Sequence, residues 1–325
     1  ASGTLRMAST ARSYPVYPVG TPGTPWGAAE KKEWLSRQSK KRDYFTDVVS
    51  RLSRFQQHDV FQYGELDYRK FGSAKFPLFG IRSANWDPSN RMVLVTGGVH
   101  GYETSGVMGA LLFAEKHMAS FADEKLNFLI LPCISPWGYE QIHRWTPEAI
   151  DPNRCFKPES PGCQEAAQAI DCATSHIGRS AGILMHTDLH ETTDSDNSEF
   201  RPSLFARDGE TSPEWSEVPD GFYLVANAHS PEPEWHRAII AAVEEVTHIA
   251  PGDEDSKIIG EPLSDKGTIT IAGRTWGICG SFTAARFATT TEVYPDSPKA
   301  SPEQCNVAQA TVVLTGVKTA LSMSA

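Results

Sequence analysis

Residues 92–103, MVLVTGGVHGYE, decide how this chain is read. Met92 to Val95 form a short apolar run bounded by turn residues, the pattern of a strand. A glycine-rich turn follows and sets His100 and Glu103 three residues apart, just before the helix-like segment ETSGVMGALLFAEKHMAS. Side chains so placed converge at the strand's carboxyl end. Two readings are open there: a helix-capping glutamate beside a turn histidine, or two ligands of a metal. Catalytic zinc takes three protein ligands, two histidines and a glutamate being one known set, and keeps the fourth position for water.

Working outward, the order is strand (MVLVTGG), helix, strand (LNFLILPCI), loop (SPWGYEQIHRWTPEAIDPNRCF), helix (CQEAAQAIDCATSHI) and strand (GILMHTDLH). Such alternation predicts a largely parallel or mixed sheet with helices on both faces, and function gathers at the carboxyl ends of its strands. FPLFGIRS and RFATTTEV read as further strands, and PEPEWHRAIIAAVEEVTHIA as a helix with Pro233 near its start. SPEQCNVAQATVVLTGVKTALSM is a last helix with a Ser-Pro-Glu cap. Trp26 to about Gln57 has the charged, helically spaced pattern of surface helices, and 194–221 has none and reads as a long acidic surface loop. Residues 1–27, rich in Pro, Gly, Ser and Thr, read as an extended N-terminal arm, leaving 28–325 as a single catalytic domain.

A third ligand is found in GILMHTDLHETTD. His186, Asp188 and His190 share one face by the two-residue repeat of a strand, and His190, at the strand's end, is the better ligand. His186 reads as a buried, hydrogen-bonded histidine, with Asp188 either its partner or a support for the metal site. Glu292, in FATTTEVYP, again ends a strand-like run; it is either a surface glutamate or a general base acting on water made acidic by the metal. The loop IHRWTPEAIDPNRCF brings Arg144, Asp151, Asn153 and Arg154, and arginine suits both a substrate carboxylate and a developing oxyanion.

The 325 residues, 40% of them hydrophobic, suffice for one large α/β domain. A net charge of −10 without basic runs argues against nucleic acid and anionic membrane as partners. The longest apolar stretches fall well short of the roughly 20 residues that span a bilayer, so a soluble protein is expected. Six cysteines show no metal-type spacing. Cys133 and Cys279 read as small buried hydrophobes, whereas Cys155, Cys163 and Cys172 stand close enough for a disulfide to be an alternative to free thiols. Cysteine usage favours the cytoplasm, with secretion as the alternative.

HGYE, SPWGYE…R…DPNR, DLHETTD and TTTEVYP, in that order from about residue 85 onward, resemble the zinc carboxypeptidase family, the M14-type funnelins, which include the aspartoacylase and succinylglutamate desuccinylase branch. The resemblance implies a mixed, mostly parallel, twisted eight-stranded sheet sandwiched by helices. It implies one Zn2+ per chain on His100, Glu103 and His190, with Glu292 as general base and acid. Asp151 would orient the first zinc histidine, Asn153 and Arg154 would grip a substrate carboxylate, and Arg144 would stabilise the oxyanion. The implied activity is hydrolysis of an amide bond next to a free carboxylate, as in a carboxypeptidase acting on a peptide. The alternative is an amidohydrolase acting on a small N-acyl amino acid, toward which GGVHGYETSGV and DLHETT lean; the remote alternative is a zinc-binding pseudoenzyme. The 33 residues after Glu292 are too few for the β-rich carboxyl-terminal domain of aspartoacylases. No tyrosine stands between Tyr223 and Tyr294 to serve as the family's mobile lid, so that closure is either absent or uses another residue, with Trp276 as a candidate. Side-chain preference and oligomeric state are not readable: the acidic stretch Asp194–Glu217 reads as a solvated loop, or as an attraction for cationic substrates if it overhangs the cleft, while Arg286 points the opposite way, to acidic ones.

Overall fold

The computed structural model describes residues 13–211 and 215–324. Among the described residues ten strands are formed: β1 (His58–Asp67), β2 (Lys75–Ser83), β3 (Arg91–Gly97), β4 (Leu126–Leu131), β5 (Ile183–Glu191), β6 (Tyr223–Asn227), β7 (Lys257–Ile258), β8 (Glu261–Asp265), β9 (Thr268–Ile271) and β10 (Phe287–Val293). The α-helices are α1 (Ala28–Ser36), α2 (Ser50–Leu52), α3 (Thr104–Lys116), α4 (Pro136–Gln141), α5 (Gln164–Ile177), α6 (Arg201–Asp208), α7 (Pro233–Glu244), α8 (Gly273–Trp276) and α9 (Pro302–Ser322).

The strands line up as β1-β2-β4-β3-β5-β10-β6-β9-β8-β7. This is the expected mixed sheet flanked by helices, with ten strands where eight were expected. Parallel pairing holds the centre, β4-β3-β5-β10, and recurs at β6-β9, while the flanks are antiparallel. The strands not foreseen are β1, whose alternation is broken by a register shift between Gln62 and Gly64, and the short strands β6 to β9. Every residue of β4 is buried, as are all but the first of β3, because helices cover both faces of these central strands. Met92 and Leu94 of β3 pack with Leu129 and Leu131 of β4 against Ala166, Ala169 and Ile170 of α5. On the other face α9 lies against α3 and α7, and Trp235 Nε1 of α7 donates to Gly316 O of α9 at 2.8 Å.

The chain divides into two compact units: Gln38–Thr192 with Pro219 onward, which holds the sheet, and the residues up to Arg37 with Thr193–Val218. In the second unit Tyr14 stacks on Trp215, ring centroids 4.8 Å apart, and Trp26 N donates to Arg207 O at 2.8 Å. The expected N-terminal arm lies outside the described residues through Arg12; from Ser13 to Gly27 it forms neither helix nor strand. The stretch 194–221, expected as an irregular loop, instead forms a π-helical turn, Asp196–Phe200, and then α6. Pro202 in the first turn and Gly209 at φ 76° after the last residue start and stop α6, which is too short to show an apolar period. Residues 212–214, Glu214 of the acidic stretch included, lie outside the described residues. Among the described residues no helix is long and apolar enough to cross a membrane.

Candidate functional site

Three neighbouring parallel strands, β3, β5 and β10, end together, with Thr96 opposite Asp188 and His190 opposite Glu292. β4 lies on one side of β3 and β5 on the other, so the chain changes direction at β3 and leaves a crevice at the carboxyl ends. The β4–β5 connection, carrying Arg144, Asp151, Asn153 and Arg154, belongs to this crevice. Gly98, at φ 59°, turns the chain sharply out of β3, and a Cβ on Gly101 would collide with the backbone nitrogen of Tyr139. That close approach lets the turn fold back so that His100 and Glu103 face β5.

His100, Glu103 and His190, each 1% exposed, meet there. His100 Nδ1 lies 2.7 Å from Glu103 Oε1, His190 Nδ1 lies 2.6 Å from Glu103 Oε2, and the two Nδ1 atoms are 3.2 Å apart. Each imidazole turns its other nitrogen to an aspartate: His100 Nε2 to Asp151 Oδ1 at 2.9 Å and His190 Nε2 to Asp188 Oδ2 at 2.8 Å. Carboxylate-backed histidines converging on one point are the usual support of a metal site. Glu103 occupies the N-cap position of α3 but makes no side-chain cap bond, so capping is not what its carboxylate does.

The donor set fits a divalent cation. Glu103 Oε2 is buried without a hydrogen bond of acceptable geometry despite the nearness of His190. Three buried carboxylates, Glu103, Asp151 and Asp188, face two imidazoles and the Arg144 guanidinium, so with neutral imidazoles the cluster is short of positive charge. Burial alone would raise the Glu103 carboxyl, but His190 and then His100 outweigh it and hold it below the ordinary range. At Asp151 burial is likewise outweighed, by Arg144 and then His100, and its carboxyl lies well below the usual value. Burial disfavours the charged form of His190, yet Glu103 and Asp188 raise it well above an ordinary histidine. A cation at the same point competes with those protons, so binding weakens at low pH.

Around this cluster Arg144 Nε donates to Asp151 Oδ2 at 3.1 Å and Nη1 to the Tyr102 hydroxyl at 3.2 Å, with Nη1 3.9 Å from Glu103 Oε1. Asn153 is buried; its Oδ1 accepts the Cys279 N–H at 2.7 Å and its Nδ2 is 3.5 Å from His190 Nε2. Arg154 is exposed and holds its neighbour's carbonyl, Nη1 to Asn153 O at 2.8 Å. Glu292 is half-buried, and its Oε2 accepts the Thr192 hydroxyl at 2.9 Å. His100, Glu103, Arg144, Asp151, Asn153, Arg154, His190 and Glu292 therefore gather around the carboxyl ends of β3, β5 and β10. Trp276, 52% exposed at the end of α8, precedes Gly277, whose carbonyl accepts the Phe156 N–H at 2.9 Å, so it stands near the 151–156 segment. Arg286 stands at the opposite end of β10 from Glu292, paired to Glu232 at 2.5 Å.

Several supporting residues went unforeseen. Thr96 Oγ1 donates to Asp188 Oδ1 at 2.6 Å and lies 3.1 Å from His186 Nε2, so it stands between the two and leaves Asp188 Oδ2 to His190. Gln309 of α9 is fully buried; its Nε2 donates to His190 O at 2.8 Å and its Oε1 accepts from Thr291 Oγ1 at 2.6 Å. Nothing local marks a glutamine 119 positions from the histidine it holds. All six cysteines are buried free thiols, Cys155, Cys163 and Cys172 included.

No protein-family model matches the chain. The fold is that of the metallocarboxypeptidases. A candidate metallopeptidase from Shewanella amazonensis superimposes with a TM-score of 0.62 at 17% identity, over 85% of this chain and 91% of that one. A metallo-carboxypeptidase from Burkholderia cenocepacia does so with a TM-score of 0.55 at 13% identity, over 85% and 69%. Among curated proteins, "Probable carboxypeptidase 2" of Trichophyton verrucosum is 33% identical over 102 residues, 28% of this chain. The chain spans only 20% of that relative's length.

Proposed function

We propose that this chain is a zinc-dependent peptidase that removes the carboxyl-terminal residue from a peptide with a free α-carboxylate. The observation that carries the reading is the convergence of His100, Glu103 and His190 with Glu292 directly opposite His190 on the next strand. His100, Glu103 and His190 would hold the zinc, which supplies Lewis acidity that polarises an amide carbonyl and makes water acidic near neutral pH. Asp151 and Asp188 hold the two imidazoles in the orientation that leaves each Nδ1 facing inward. Glu292 takes a proton from the attacking water and delivers it to the leaving amine. Arg144, beside Glu103, faces the negative charge that develops on the carbonyl oxygen. Asn153 and Arg154 grip the substrate carboxylate and set which bond lies over Glu292.

The test compares a peptide with its carboxyl-amidated twin, using zinc-loaded wild-type chain and Glu292→Gln. Wild type releases the last residue of the free peptide only, and Glu292→Gln retains its zinc while turnover falls by about 100- to 10,000-fold. Equal cleavage of both peptides, or an unimpaired Glu292→Gln, contradicts the reading. Turnover of small N-acyl amino acids with none of peptides would replace it by the amidohydrolase alternative.

A further inference from the structure

Glu292 lies in a row of three residues across the sheet: His190 on β5 is its partner on one side and Tyr223 on β6 its partner on the other. Paired residues on adjacent strands project to the same face, so Glu292 stands between an imidazole and a phenol. Thr192, two positions beyond His190, continues the pairing of β5 with β10 through its own N–H, which donates to Val293 O at 3.0 Å. Its hydroxyl is 2.9 Å from Glu292 Oε2 and 2.9 Å from the Tyr223 hydroxyl. Thr192 and Tyr223 are buried at 6% and 1% exposure.

The direction of these bonds follows from inventory. A carboxylate only accepts, so the single threonine proton goes to Glu292, and the bond between the two hydroxyls must then use the proton of Tyr223. The result is a one-way chain, Tyr223 to Thr192 to Glu292, anchored by the backbone bond at Val293. We propose that Thr192, backed by Tyr223, is a positioning residue for the reaction: it fixes the Glu292 carboxylate in the orientation needed to accept a proton. This rests on the assignment of Glu292 as the base. Charged groups facing Glu292 include His190 from β5 and Arg154 from the β4–β5 connection.

The test uses the full zinc-loaded chain and its Thr192→Val, Thr192→Ser, Tyr223→Phe and Glu292→Gln variants. In Thr192→Val, kcat falls by about 10- to 100-fold with KM little changed, as expected for loss of a hydrogen bond to a charged group. The acid limb of kcat/KM moves up by about one pH unit, since a hydrogen bond to the ionised form had favoured ionisation. Zinc content stays at the wild-type level. Thr192→Ser restores both kcat and the limb, and Tyr223→Phe shifts both in the same direction and less. Independently of any substrate, carbon-13 NMR of glutamate Cδ, with Glu292 assigned by its loss in Glu292→Gln, shows the carboxyl titrating higher in Thr192→Val. An unchanged titration and profile in Thr192→Val, serine behaving like valine, or loss of zinc in Thr192→Val overturns the inference. Full activity in Glu292→Gln instead removes the base assignment, so the two failures are distinguishable.

Discussion

Glu103 and Glu165 are both buried to 1% exposure, and their surroundings drive them in opposite directions. Glu165, near the start of α5, accepts the Tyr68 hydroxyl, and burial pushes its carboxyl up to about 7. Glu103 suffers the same burial, yet the imidazoles of His190 and His100 hold it ionised. A buried carboxylate thus stays ionised, and able to ligate, where nitrogen donors converge on it; beside a phenol it remains an acid that prefers its proton. One cluster is arranged for a cation. The other is a packed polar contact that weakens as pH rises.

The comparison is broken most severely by Glu103→Gln, which keeps the shape and removes the charge. Zinc binding should weaken by more than the roughly 10- to 100-fold that loss of a supporting partner costs, and peptide hydrolysis should vanish with it. Retained zinc and rate would show that Glu103 is no ligand. Asp188→Asn is next: the His190 imidazole loses its carboxylate, and zinc affinity should drop by about 10- to 100-fold, read by competition with a chelator. An affinity equal to wild type would leave Asp188 a partner of Thr96 alone.

Glu165→Gln should leave peptide hydrolysis and zinc content alone and change only the pH dependence of stability. Because the folded-state carboxyl titrates near 7, above its ordinary value of 4.5, its favourable contribution is complete below pH 4.5 and disappears as pH rises through 7. Between pH 5 and pH 8 wild type should therefore lose roughly 2–3 kcal/mol relative to the glutamine variant in urea unfolding. Parallel stability curves would mean that Glu165 is not raised.

The central strands and the ligand turn were legible because they are local: MVLV and LNFLIL are unbroken apolar runs, and His100 and Glu103 sit on one turn. His190 was legible from strand alternation and its polar neighbours. Less could be read where pairing is distant. The bond from Thr192 to Glu292 crosses 100 residues, and Tyr223 joins them only because β6 pairs with β10. Alternation placed Asp188 on the right face, but its choice of His190 depends on Thr96 from another strand. β1 was missed because a half-buried flanking strand with a bulge lacks a clean two-residue repeat, and α6 because eight residues are too few for a helical one.

The most direct measurement is a calorimetric titration of zinc into the metal-free chain, with peptide hydrolysis assayed before chelation, after it and after reloading. One zinc per chain, with activity lost on chelation and restored in proportion to occupancy, is the expected result. Hydrolysis that survives complete removal of zinc, or no tight zinc site at all, would contradict the account.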